Sequence, residues 1–152
     1  MTDQPIVLAL ELIDRSRTMV LATGASDPWA APVYYLHHSG RFCFFSSPNS
    51  RHVTDAMKTG HCAAAIFHDS DDWRDIEGLQ MQGSIELVDT HDAPEIFAAY
   101  IRRFPTVRGF FPGELDLGSF QAMFKSRMYA FTPERMFYLN NRAGFGTRRD
   151  IE

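Results

Sequence analysis

Between Leu79 and Leu87 the chain alternates with period two: Leu79, Met81, Ile85 and Leu87 interleave with Gln80, Gln82, Ser84 and Glu86. Successive side chains of a strand point to opposite faces, so this segment is predicted to place one face in a core and leave one face polar. Four further segments read as strands, at residues 18–25, 29–38, 41–47 and 61–68, and Ser39-Gly40 joins the second and third of these as a hairpin. Two closing strands are predicted at residues 127–131 and 135–139, separated by a Thr132-Pro133-Glu134 turn. Helices fall between the strands. Residues 5–17 carry Ile6, Leu10 and Ile13 at helical spacing, with Asp3 as cap and Pro5 in the first turn. Ser50 caps a short helix to residue 58, with Val53 and Met57 turned inward and Gly60 ending it. Asp92 and Glu95 have the spacing of a capping box for a helix whose Phe97, Tyr100, Ile101 and Phe104 share a face, stopped at Pro105. Residues 107–126 read as loop with a short helical turn. Hairpin-linked strands with inserted helices, rather than regular strand and helix alternation, predict a mainly β fold built as an antiparallel barrel.

The length of 152 residues suits a single domain spanning residues 1–152. The net charge of −4 and the lack of a Lys/Arg run argue against nucleic acid as a partner. No apolar run approaches the ~20 residues of a membrane span, and the N-terminus lacks a signal-peptide pattern, so a cytoplasmic protein is expected. Cys43 and Cys62 sit in strand-like segments without metal or redox spacing. His37 and His38 are adjacent on a strand and point to opposite faces, while His61 and His68 lie at opposite ends of another, so no metal site is expected. Thirteen Phe, five Tyr and two Trp exceed what a small core needs, which suits a planar ligand or a buried subunit interface.

The richest chemistry lies in Phe44-Phe45-Ser46-Ser47-Pro48-Asn49-Ser50-Arg51-His52, a strand running through a hydroxyl-rich turn into a helix. Such a turn offers backbone N–H groups, hydroxyls and a cation to one small space, as a phosphate dianion requires. Arg51 supplies charge and a two-pronged donor, and His52 a second donor. The same residues also read as a helix cap at Ser50, loop serines and a solvated arginine.

In order and spacing, Pro32-Val33-Tyr34-Tyr35, Phe45-Ser46, Ser50-Arg51-His52 and Gly83 resemble the pyridoxamine 5′-phosphate oxidase-like, FMN-binding split-barrel superfamily. Tyr100-Ile101-Arg102-Arg103-Phe104-Pro105 and Gly144-Phe145-Gly146 are most similar to a small, functionally uncharacterised bacterial branch of it. The resemblance implies an antiparallel split β-barrel acting as a homodimer with FMN at the subunit interface. It implies that Ser46, Ser50, Arg51 and His52 hold the FMN phosphate, with Phe45 beside them among the cofactor-binding residues. His52 stands where the family has Lys, so its support is expected to be strongest when protonated. Backbone groups of Pro32, Val33 and Tyr34 would meet the flavin's pyrimidine edge, and Gln80 and Gln82 lie near the flavin-contacting strand or on a solvent face. Phe145 and Arg148 would reach a flavin bound by the other subunit, from a tail whose removal leaves the barrel folded. The oxidase's C-terminal substrate motif is absent after Arg148, so vitamin B6 oxidation is not expected. The implied function is a flavoprotein oxidoreductase of unknown substrate and unknown catalytic residues. Haem-binding or haem-handling relatives and deazaflavin reductases on the same fold are the alternatives.

Overall fold

The computed structural model describes residues 4–109, 111, 113 and 115–151, and Asp3, the expected first cap, lies outside them. In chain order the elements are α1 Pro5–Arg15, β1 Thr18–Thr23, β2 Trp29–Tyr34, β3 Leu36–His38, β4 Arg41–Ser46, α2 Arg51–Thr59 and β5 Cys62–Phe67. There follow a 3₁₀ turn Trp73–Asp75, β6 Glu77–Leu87, α3 Ala93–Arg103, α4 Pro105–Arg108, α5 Leu117–Phe124, β7 Arg127–Asn140, a 3₁₀ turn Asn141–Ala143 and β8 Arg148–Ile151. The strands form one antiparallel sheet in the order β2-β1-β5-β6-β7-β4-β3, with β8 added on β7. Curled into a split barrel, the sheet has the expected architecture.

The largest departure from expectation is β7, which is one strand of 14 residues and not two strands around a turn. It pairs with β6 along its length, while its other edge is shared: β4 takes Arg127 to Phe131 and β8 takes Met136 to Leu139. Pro133 falls in the gap between those two partners, where its missing N–H costs no ladder bond. Opposite it the β6 register shifts between Gln82 and Gly83, so the extra residue is absorbed by a bulge. Gly83 permits this because a Cβ there would overlap the Thr132 carbonyl.

Two cores result. Inside the curl, Met19, Leu21, Phe44, Ile66, Leu79, Tyr129 and Phe131 pack with Ala9, Leu12 and Ile13 of α1 and Val53 and Ala56 of α2. The α1 period was read correctly but its phase was not: Ile6 and Leu10 are exposed. In α2, Met57 is exposed and Ala56 takes the inward place. Outside, α3 and α5 cover β3, β4 and the start of β7, burying Phe97, Tyr100, Phe104 and Phe120 against Cys43 and Met128. Asp92 makes no side-chain cap, so the expected capping box is absent. Helix α5 is a full element where a loop with a short turn was expected. Much of the aromatic surplus is spent in this second core, with Phe45 meeting Phe97, Tyr100 and Phe120 at ring distances of 6.0, 5.0 and 4.5 Å.

The end of α1 is tied down from two sides. Arg103 donates to the carbonyls of Asp14 and Ser16, and Tyr35 donates to the Ile13 carbonyl at 2.6 Å. These bonds satisfy orphan carbonyls at a helix C-terminus.

The tail is structural: β8 pairs with β7 and Ile151 is buried in the inner core. Truncation after Gly144 should therefore lower stability by about 2–4 kcal/mol, the range for losing a large buried aliphatic side chain, read from urea unfolding midpoints. Gly83→Ala should cost about 1–3 kcal/mol through overlap with the crossing strand, whereas Gly60→Ala, with open space around its Cβ, should show only the smaller penalty of its left-handed backbone. Equal losses for the two glycine variants would contradict the close approach.

Candidate functional site

Strand β4 ends at Ser46 and the chain turns through residues 47–50 before α2 begins at Arg51. The turn is held locally. The Ser50 N–H donates to the Ser47 carbonyl at 3.0 Å, and the Asn49 N–H to Ser47 Oγ at 3.2 Å. Ser50 occupies the N-cap position, yet its hydroxyl donates back to the Ser47 carbonyl at 2.7 Å and caps no amide. The first-turn N–H groups of a helix have no intrahelical acceptor, so in α2 they are left without the side-chain partner that Ser50 ordinarily provides.

Ser46 is buried, and its Oγ lies 2.7 Å from His52 Nε2, with Ser50 Oγ 3.5 Å from the same nitrogen. His52 stands against Phe44 at 6.4 Å between ring centroids. Burial lowers its pKa below the usual 6.5. At neutral pH the imidazole therefore serves the serines as a neutral hydrogen-bond partner, without the charge that a lysine would bring.

Arg51 is engaged on several sides. Its guanidinium pairs with Asp27 at 2.8 Å, donates to the Asp27 carbonyl at 3.1 Å and lies 3.6 Å from Asp55. It also stacks over Trp29, 4.4 Å from the ring centroid. These contacts fasten the turn between β1 and β2 onto α2, and two carboxylates offset the positive charge. A cation that sequence reading missed lies nearby. Arg127 is the direct β4–β7 partner of Ser46, and paired residues on adjacent strands project to one face with Cβ atoms ~5 Å apart. It is exposed and makes no ion pair among the described residues.

The remaining candidates are scattered. Pro32, Val33 and Tyr34 lie on β2, an edge strand paired only with β1 among the described residues, so the opposite side of its backbone is open. Val33 points into the inner core while Pro32 and Tyr34 face outward. Phe45 leaves the turn altogether: alternation along β4 sends its ring into the outer core. Gln80 and Gln82 are exposed on the outer face of β6 beside Ala65 and Ala63. Phe145 is exposed, with its ring edge on Trp73, and Arg148 opens β8 opposite Leu139. No hydrogen bond, ion pair or ring contact links these last four residues to the turn among the described residues. Both cysteines are free and buried, and burial pushes each thiol up to about 11, far from a reactive thiolate.

The outer face of the sheet carries small apolar side chains in register. Val20 stands between Pro32 and Ala65, and Ala22 between Ala30 and Ala63, with Gln80 and Gln82 bordering the patch. No helix among the described residues is long and apolar enough to cross a membrane.

Among solved structures, a haem-binding protein from Mycobacterium smegmatis superposes with a TM-score of 0.75 at 16% identity, covering 99% of this chain and 59% of that one. The chain thus spans little more than half the length of that relative. The haem storage protein HutZ from Vibrio cholerae gives 0.68 at 15% identity, over 90% of this chain and 94% of that one. An FAD-binding protein from Mesorhizobium loti gives 0.63 at 12% identity, over 86% and 90%. At these identities the likeness shows a shared fold. No curated protein matches the sequence. The profile of the pyridoxamine 5′-phosphate oxidase family, however, matches residues 8–140, taking in the turn, α2 and the whole of β7, and the chain therefore belongs to that family.

Proposed function

We propose that the chain is an FMN-binding flavoprotein of oxidoreductase type whose first α2 turn seats the cofactor's phosphate. The observation that carries this reading is the uncapped start of α2: Ser50 turns its hydroxyl away, leaving amides at the positive end of a nine-residue helix beside Ser46 and Ser50. When bound, FMN supplies hydride and electron transfer, chemistry that resides in its ring system. The chain's own residues bind and orient. Ser46 offers a hydroxyl whose direction His52 fixes, Ser50 holds the turn through the Ser47 carbonyl, and Arg127 brings the charge that Arg51 shares with Asp27 and Asp55. The open edge of β2 at Pro32, Val33 and Tyr34 offers main-chain groups to the pyrimidine ring.

The working unit in this reading is a homodimer joined through the apolar outer face at Val20, Ala22, Ala30, Pro32, Ala63 and Ala65. Gln80, Gln82, Phe145 and Arg148, remote from the turn within one chain, then serve a site completed by the second subunit. A haem reading rests on the names of two structural neighbours and on His61, which borders a groove of about 390 Å³ with Ala22 and Gln82. An absorbance spectrum separates the two readings: flavin bands near saturation with FMN support the first, and a Soret band shifted on adding haemin supports the second.

FMN should bind at least tenfold more tightly than riboflavin in a flavin-fluorescence quenching titration, because the site is built for the phosphate. Arg127→Ala should weaken FMN by about tenfold, the scale of one charge-assisted contact, and leave riboflavin unchanged. Equal affinities for FMN and riboflavin in the unmodified protein would overturn the phosphate assignment.

His52 and His37 both have pKa values lowered from 6.5, chiefly by burial. The unfolded chain therefore takes up protons first as pH falls, so the stabilisation present above pH 6.5 should diminish from there toward the folded-state values. A melting temperature that falls between pH 7 and pH 5, less steeply in His52→Gln, is the expected result. Indistinguishable slopes for the two proteins would remove His52 from this account.

A further inference from the structure

The surface around the proposed phosphate seat continues past the turn. Pro48, within the turn, and Arg127, the β7 partner of Ser46, also line a cleft that runs on between α5, the end of β6 and the start of β7. Its volume is about 520 Å³, within the roughly 300–1,000 Å³ of small-molecule sites, whereas a terminal phosphate needs only the turn itself.

The wall of this cleft is cationic in a chain whose net charge is −4. Lys125 and Arg127 line it and no acidic residue does. Both cations are exposed, and neither makes an ion pair among the described residues. Carboxylates on the neighbouring segments are engaged elsewhere: Asp89 accepts the His91 N–H at 2.8 Å, Asp116 accepts the Ser119 N–H at 2.7 Å, and Glu86 pairs with Arg41 at 3.3 Å. Lys125 is also the C-cap of α5 and adopts the left-handed conformation at φ 48° and ψ 45°, where glycine is the favoured residue. A lysine there carries a conformational cost that the backbone does not require. Beyond the cations, Leu87, Leu117 and Ala122 present accessible apolar surface, and Thr90 and Gln121 bring accessible polar groups.

Resting on the phosphate assignment at α2, we infer that the cleft seats the adenylate half of a dinucleotide flavin, so that the site takes FAD in preference to FMN. The α2 amides hold the phosphate nearest the flavin, as they do for FMN in that assignment. Arg127, which borders both the turn and the cleft, serves the junction of the two phosphates, and Lys125 supplies the counter-charge for the second. Leu87 and Leu117 offer apolar surface to the adenine, while Thr90 and Gln121 offer hydrogen-bonding groups to the ribose and the ring edge. A phosphate monoester leaves this wall empty and its lysine unpaired.

Riboflavin, FMN and FAD, each titrated by calorimetry into the full-length protein, test the assignment. FAD should bind about tenfold more tightly than FMN, the scale of one charge-assisted contact. Lys125→Gly should remove that advantage and leave FMN unchanged. Because it relieves the left-handed backbone, this variant should melt no lower than the unmodified protein. Ala122→Trp, at an exposed position of α5, should weaken FAD and spare FMN. FAD bound no more tightly than FMN, or FAD affinity unchanged in Lys125→Gly, would overturn the inference, while a preference for FMN over riboflavin would still uphold the phosphate seat. FMN and riboflavin bound alike, with FAD tighter and sensitive to Lys125→Gly, would overturn the seat at α2 and uphold the cleft. A change of oligomeric state in Ala122→Trp with FAD affinity intact would overturn the inference by marking the cleft as a contact between copies of the chain.

Discussion

The structure depends on β7 staying continuous past a proline. A break at Pro133 would have left β4 and β8 on separate short strands, joined only through β6. Continuity requires two coincidences: Pro133 falls where neither β4 nor β8 needs an amide, and Gly83 on the facing strand has no Cβ to obstruct the bulge. The first removes an energetic objection and the second a steric one. Together they let one strand carry both halves of the sheet.

From that strand the site inherits its geometry. The β4–β7 register sets Arg127 opposite Ser46 and Tyr129 opposite Phe44, so the charge near the turn is fixed by pairing rather than by the turn's own sequence. Alternation then divides the same two strands between two environments. Phe44, Ser46, Arg127 and Tyr129 share the face that leads to His52 and the inner core, while Cys43, Phe45, Met128 and Ala130 serve the helices outside.

How much of this the sequence revealed follows the range of each interaction. Local signals were read well: the helix start after Ser50, the left-handed Gly60 stop, the Ser39-Gly40 hairpin and the alternation along β6 as far as Ile85, beyond which Leu87 is exposed. The curled antiparallel sheet followed from how those elements are connected. Signals that depend on a distant partner were misread or missed. Thr132-Pro133-Glu134 has turn chemistry and became a strand because Gly83, fifty residues earlier, accommodates it. Phe45 adjoins Ser46 in sequence, yet period two parts them. Arg127 carried no motif at all, since only the pairing register brings it to Ser46. Arg51 was correctly placed at the helix start, but its ties to Asp27 and Trp29 depend on a turn more than twenty residues away.

Charge distribution around α2 gives the arrangement its chemical logic. A helix start with Arg51 fully available would attract anions indiscriminately, and Asp27 and Asp55 moderate it while Trp29 holds its plane. His52, kept neutral by burial, adds direction without charge, because a hydrogen bond to Ser46 orients the hydroxyl that faces the turn. Attraction then rests on backbone amides and on Arg127, which approaches from a different strand. A phosphate at this place would be recognised by the convergence of β4, α2 and β7, so selectivity depends on the barrel being correctly closed. By anchoring β8 on β7, the buried Ile151 also helps hold in place the strand that carries Arg127.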